Sequence, residues 1–216
     1  MKDAIPNLFA HWISLDIIAY LRLVSGTGNT RANWLRIMNR PNRYIKREAL
    51  APFTSDISVA QLKAYYQDKD WMLERLDRLE YDLSIMKRMS PYAAIHYLSN
   101  AMKYQDYLKD YAKEHHINEQ ELLDVLNAVH ESSQSCRTFA EWFTYIDTYT
   151  EELQKQAKSP ASKDANNESG VCLCTLHCAK GLEYPIVFIP DINEDNIPHA
   201  RAAVDADLEE ERRLFY

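Results

Sequence analysis

The 216-residue chain is 46% hydrophobic, 11% aromatic and 26% charged, which supplies enough apolar mass for a real core and excludes disorder along the whole length. Only four glycines and eight prolines argue against collagen-like, glycine-rich or many-turned β architectures and for a mainly α fold. The net charge of −7 disfavours a nucleic-acid partner if it is spread evenly. It is not: residues 17–47 carry Arg22, Arg31, Arg36, Arg40, Arg43, Lys46 and Arg47 and no acid, so a cationic face can sit on an acidic body.

In chain order, apolar residues at 17, 18, 21 and 24 share one face of a helix over 14–24, which Gly26 and Gly28 end. The longest apolar stretch there is flanked by Asp16 and Arg22 and falls far short of the roughly 20 residues needed to span a bilayer, so no membrane association is expected. Thr30 is placed to cap a second helix through Met38, and Pro41 closes it because its ring and missing N–H break the helical ladder. Residues 1–50 therefore read as a small helical block with a basic surface.

From Ala51 the composition shifts to tyrosine-rich helices, and 51–153 reads as one all-helical domain. Its longest helix, about 70–88, sets Met72, Leu76, Leu79, Leu83 and Met86 at four- and three-residue steps, the seam of a helix packed lengthwise on a neighbour. Ser90 followed by Pro91 restarts a helix as N-cap and first helical residue. Asn118 with Glu121, and Thr138 with Glu141, mark two more starts. The last of these buries Phe139, Trp142, Phe143, Ile146, Tyr149 and Leu153. The spacing of Tyr104, Tyr107, Leu108 and Tyr111 favours packing over base stacking.

Residues 154–170 contain no large apolar side chain and read as a flexible linker, because nothing there offsets the ordering entropy. Beyond it, 171–176 and 185–190 are short β-branched or apolar runs of the kind found in strands covered on both faces. The expected fold is thus mainly α, with a small α/β portion of a few parallel strands in 171–216.

The segment joining those two runs, Thr175-Leu-His-Cys-Ala-Lys-Gly-Leu-Glu-Tyr184, places hydroxyl, imidazole, ammonium and carboxylate groups at the carboxyl edge of the expected sheet, where ligands of open α/β sheets bind. One Lys-Gly turn is weak on its own, and a solvated loop is an equal reading of it. Cys172, Cys174 and Cys178 alternate along a run and read as small packing groups rather than metal ligands. His115 and His116 are adjacent and do not share a helix face. The acidic run 205–211 reads as a solvated helix face, and Arg212 and Arg213 can pair with the acids around them. Cys136 and these three lack the dispersed, even spacing of a secreted disulfide framework, and no signal segment precedes them, so a cytoplasmic location is expected.

The order Thr-Leu-His-x-Ala-Lys-Gly-Leu-Glu-Tyr-x-x-Val-Phe-Ile from Thr175, with Pro198-His199 and then Glu210-Glu-Arg-Arg-Leu-Phe-Tyr216, closely resembles motif V and the beginning of motif VI of the UvrD/PcrA/Rep-type superfamily 1 DNA helicases. At the front, Asp16-Ile-Ile-Ala-Tyr-Leu-Arg-Leu23 and Arg36-Ile-Met-Asn-Arg-Pro-x-Arg43 resemble the stretch by which these helicases leave subdomain 2A for the inserted helical subdomain 2B. The resemblance implies that 1–50 is the N-terminal helical part of a RecA-like 2A leading into 2B, that 51–153 is 2B, and that 171–216 is a further portion of 2A. It implies a fragment of an ATP-dependent 3′–5′ DNA helicase whose helical subdomain regulates duplex engagement. Single-stranded DNA and the duplex junction, protein partners and the missing core domains are the implied partners.

By the same resemblance Thr175 and His177 face the DNA backbone, Glu183 reaches the nucleotide, Gly181 permits a close turn and Lys180 lies near the ATP cleft. Arg43, Lys46 and Arg47 are the candidate contacts to duplex phosphates. ATP and Mg²⁺ belong to the full-length parent. None is expected on this chain, which has no Gly-x-x-x-x-Gly-Lys-Ser/Thr loop and is expected to be inactive alone. Two departures stand out: Tyr44-Ile45-Lys46 replaces the family's frequent Gly-Ile-Gly, and Pro190 replaces the glycine after the second run. A stand-alone helical module that docks DNA or protein through 22–47, and a part of a RecB-type helicase-nuclease, are the competing readings.

Overall fold

The computed structural model describes residues 7–54, 56–158, 171–179, 182–190, Glu209 and Arg212. The chain divides into two compact units, 1–160 and 161–216. Among the described residues it is mainly helical, and no helix is long and apolar enough to cross a membrane.

The first unit is built around α1, Trp12–Ser25, which buries Ile13, Ser14, Asp16, Ile17, Ala19, Tyr20, Leu21, Leu23 and Val24. A helix that is apolar nearly all round must be covered nearly all round. It packs against α2 (Arg31–Ile37), α4 (Asp70–Met86), α5 (Pro91–Asn100), α7 (Glu119–Ser132) and α8 (Phe139–Lys158). Two further helices, α3 (Val59–Tyr65) and α6 (Tyr104–His115), complete the unit. The change in composition at Ala51 is therefore no boundary between packed units: Ala49, Leu50, Ile57 and Leu62 enter the same core as Ile17 and Leu21.

The local signals explain most helix ends. Gly26 stops α1 in the left-handed conformation, φ 77°, which costs glycine nothing. At Gly28 a Cβ would lie 2.7 Å from both Arg22 Cβ and Asn33 Nδ2, so the turn into α2 closes only around a bare backbone. Thr30 Oγ1 accepts from Asn33 N at 3.3 Å, Ser90 Oγ from Ala93 N at 3.3 Å, Asn118 Oδ1 from Gln120 N at 3.0 Å and Thr138 Oγ1 from Glu141 N at 3.2 Å. The α4 seam buries Met72, Leu76, Leu79 and Met86.

Residues 154–158 of the expected linker are helical. α8 continues through Lys158, because Gln, Lys and Ala are good helix formers and a helix already nucleated extends at one hydrogen bond per residue without needing to bury anything. Residues 159–170 lie outside the described residues.

In the second unit the expected parallel strands do not appear among the described residues. The run from 171 leads into a single helical turn, α9, Leu176–Ala179. Val171, Leu173 and Phe188 are 91%, 94% and 88% exposed, the opposite of strands covered on both faces, and Cys172 and Cys174 are exposed as well. A strand satisfies its N–H and C=O groups only against a neighbour, and two short apolar runs cannot make an independent sheet. Arg212 donates to Glu209 at 2.8 and 2.9 Å, the pairing with nearby acids that the sequence offered as one reading.

Candidate nucleic-acid interface

The basic stretch 22–47 does not form one cationic face. Arg36 and Arg40 converge on Asp16, whose side chain is wholly buried. Arg36 Nη1 donates to Oδ1 at 3.1 Å, and Arg40 Nη1 donates to Oδ1 at 2.9 Å and Oδ2 at 3.1 Å. Tyr104 of α6 donates its hydroxyl to Oδ2 at 2.9 Å. Burial pushes the Asp16 carboxyl upward from the ordinary carboxylate range, against the charge and hydrogen bond of Arg40 and the bonds from Tyr104 and Arg36. The Tyr104 phenol is pushed well above its usual value by burial and by the adjacent carboxylate. Both guanidiniums stay charged at any ordinary pH, and they share the one Asp16 carboxylate, so part of their charge is met inside the fold.

That cluster anchors the loop that follows. Tyr20 donates its hydroxyl to Arg40 O at 2.7 Å, and the Arg40–Pro41 peptide is cis. Asn39 clamps the loop across its neck: its Oδ1 accepts from Ile45 N and its Nδ2 donates to Ile45 O, both at 2.9 Å. Lys46 N donates to Tyr66 Oη at 2.7 Å, and Ile45 is buried. The loop is therefore held by side chains on both sides, with little freedom to adapt.

Arg43, a candidate phosphate contact, turns inward. Its Nη1 donates to Ile37 O at 3.1 Å and Pro41 O at 3.2 Å, and the guanidinium lies 5.8 Å from the Tyr20 ring centre. Arg22 lies over Phe143. Lys46 and Arg47 point outward, exposed, and among the described residues neither has a carboxylate within ion-pair distance. Exposed Arg22 likewise has no carboxylate within that distance among the described residues, so these three are the outward, unpaired cations of the stretch. On its other flank, Asn39, Pro41 and Asn42 share a groove of about 520 Å³ with Asp106, Tyr107, Asp110, Tyr111 and Glu114. Lys103 also lines it and pairs with Asp106 at 3.3 Å, so the groove is acidic on balance.

Tyr44 has a left-handed backbone, φ 60°. A left-handed conformation costs a non-glycine residue on the order of 1 kcal/mol, and the ring it carries is 60% exposed. Asn42 Oδ1 accepts from Tyr44 N at 3.1 Å and helps to hold the turn.

Among the residues expected around motif V, Thr175 and Glu183 are exposed. Thr175 Oγ1 accepts from Cys178 N at 3.2 Å and so caps α9. Lys180, Gly181 and the His177 side chain lie outside the described residues. Glu183 could accept hydrogen bonds from ribose hydroxyls. Among the described residues no cluster of histidine, cysteine or carboxylate groups could hold a metal ion.

Residues 7–216 match the family described as the UvrD-like helicase C-terminal domain. Over 93% of its length the chain is 29% identical to the ATP-dependent DNA helicase PcrA of Bacillus subtilis (strain 168), covering 29% of that protein. It is 26% identical over 98% of its length to the putative ATP-dependent DNA helicase YjcD of the same organism, covering 28% of it. It is 27% identical over 93% of its length to the ATP-dependent DNA helicase PcrA of a Staphylococcus epidermidis strain, covering 29% of that relative. The chain thus spans under a third of the relatives it matches. No solved structure matches it significantly.

Proposed function

The chain belongs to the UvrD-like helicase C-terminal domain family, and from that membership we propose that it is the DNA-engaging part of an ATP-dependent 3′–5′ DNA helicase. In this reading the helical unit regulates engagement of duplex DNA through the loop 39–47. The 171–190 segment belongs to a RecA-like motor half, in which the exposed runs around Val171 and Phe188 pair with strands supplied from outside this chain. Thr175 and His177 contact the single-stranded backbone there, and Lys180, Gly181 and Glu183 face the nucleotide. ATP with Mg²⁺ supplies the driving hydrolysis in the assembled motor, and the phosphate-holding groups come from outside these residues. Alone, the chain hydrolyses no ATP.

The observation that carries this reading is the rigid loop that spends Arg36, Arg40 and Arg43 on its own structure yet leaves Lys46 and Arg47 exposed and unpaired. Fluorescence anisotropy of a labelled tailed duplex across a salt series tests it. Affinity is expected to fall with salt, and each phosphate contact adds roughly 0.7 to 0.9 to the log–log slope. The double variant Lys46→Ala/Arg47→Ala should lower the slope by about 1.4 to 1.8. A salt-independent or absent interaction would contradict the reading.

A further inference from the structure

We propose that Tyr44, Trp71 and Arg75 form a stacking site for unpaired bases of DNA, placed beside the phosphate-contacting Lys46 and Arg47. The proposal rests on the DNA-engaging reading above and extends it from backbone contact to contact with bases. Tyr44 and Trp71 are 60% and 50% exposed, large rings with no share in the core. The Arg75 guanidinium stands 5.0 Å from each ring centre. It bridges the loop to α4, and among the described residues no carboxylate lies within ion-pair distance of it.

The surface continues along α4. Trp71, Arg75 and Arg78 recur at helical spacing along the edge of the buried face of α4, and Arg78 lies over the exposed Tyr81 ring. From residue 71 to residue 81 the helix rises about 15 Å, the length of roughly four stacked bases. Of the acids on this helix, Asp77 and Glu80 are bridged by Lys63, buried Asp82 pairs with Arg78 and accepts from Tyr97, and Asp70 and Glu74 are exposed. The aromatic and cationic character is therefore concentrated where Arg75 meets Tyr44 and Trp71. Aromatic faces with interleaved arginine are what single-stranded nucleic acid stacks on regardless of sequence. Paired bases inside a duplex cannot offer their faces, so the occupant is an unpaired strand. The left-handed Tyr44 fits this assignment, since a glycine would relieve the backbone but present no ring.

The test uses the full 216-residue chain with a fluorescein-labelled oligothymidylate of twelve nucleotides and a blunt duplex of equal length. Trp71→Ala and Tyr44→Gly are each expected to weaken oligothymidylate binding about tenfold, with less loss on the duplex and no change in salt slope. Trp71→Phe should restore binding to within about threefold. Tyr44→Gly relieves the backbone, so its loss of affinity cannot be assigned to unfolding. If both variants bind the oligonucleotide as the parent does while Lys46→Ala/Arg47→Ala still lowers the slope, stacking is overturned and the DNA-engaging reading survives. Equal losses on duplex and single strand would also overturn stacking. If the unmodified chain binds neither DNA, both proposals fail.

Discussion

Replacing Asp16 with alanine is expected to lower the free energy of unfolding by about 3 kcal/mol, the low end of the cost of breaking a buried ion pair. The carboxylate is wholly buried and takes hydrogen bonds from Arg36, Arg40 and Tyr104. Removing it leaves a buried phenol without an acceptor and two like charges facing a void. The low end applies because the side chains of Arg36 and Arg40 are 35% and 39% exposed, so water takes up part of the loss. Tyr104→Phe should cost about 1 kcal/mol, and the double variant less than the sum, because both changes remove the same hydrogen bond. Urea unfolding of the four proteins checks this, and a loss below about 0.5 kcal/mol for Asp16→Ala would show that the cluster does not hold the loop.

Trp142→Ala is expected to cost about 3 to 5 kcal/mol. The indole is wholly buried, donates to Ser132 Oγ at 3.1 Å and meets Phe9 edge-on with ring centres 6.3 Å apart. It fastens α8 to α7 and to the segment that leads into α1. Calorimetry should show a lower Tm while far-ultraviolet dichroism at low temperature keeps its helical form. An unchanged Tm would mean that α8 packs without this ring.

Signals that act over three or four residues were legible in the sequence. The caps at Thr30, Ser90, Asn118 and Thr138 each satisfy backbone donors of their own helix, which requires no knowledge of the rest of the chain. What depends on partners was not. Residues 17, 18, 21 and 24 defined one apolar face of α1, yet Ile13, Ala19, Tyr20 and Leu23 are buried too, because helices from as far away as α8 close over it. Asp16 reads as a charge that limits an apolar stretch. Its role as a hub depends on Arg36, Arg40 and Tyr104 meeting there, and the signal for it was an acid within an otherwise largely apolar helix. The same convergence explains Arg43: counting cations could not distinguish those bound to carbonyls and carboxylates from those left outward.

The apolar runs after residue 170 show a different limit. Their composition led to an expectation of strands, but a strand is a relation between two segments, and among the described residues none forms there. Motif V was legible as an ordered set of residues, while the geometry that would join Thr175 to Glu183 around a ligand is not something residue order contains.

Amide hydrogen exchange, read by mass spectrometry with and without a saturating tailed duplex, tests most directly the claim that the helical unit grips DNA through its anchored loop. Slowed exchange is predicted at residues 43–47 and along the first turns of α4, with α5 and α7 unchanged. Protection that leaves 43–47 untouched while DNA is fully bound would contradict it.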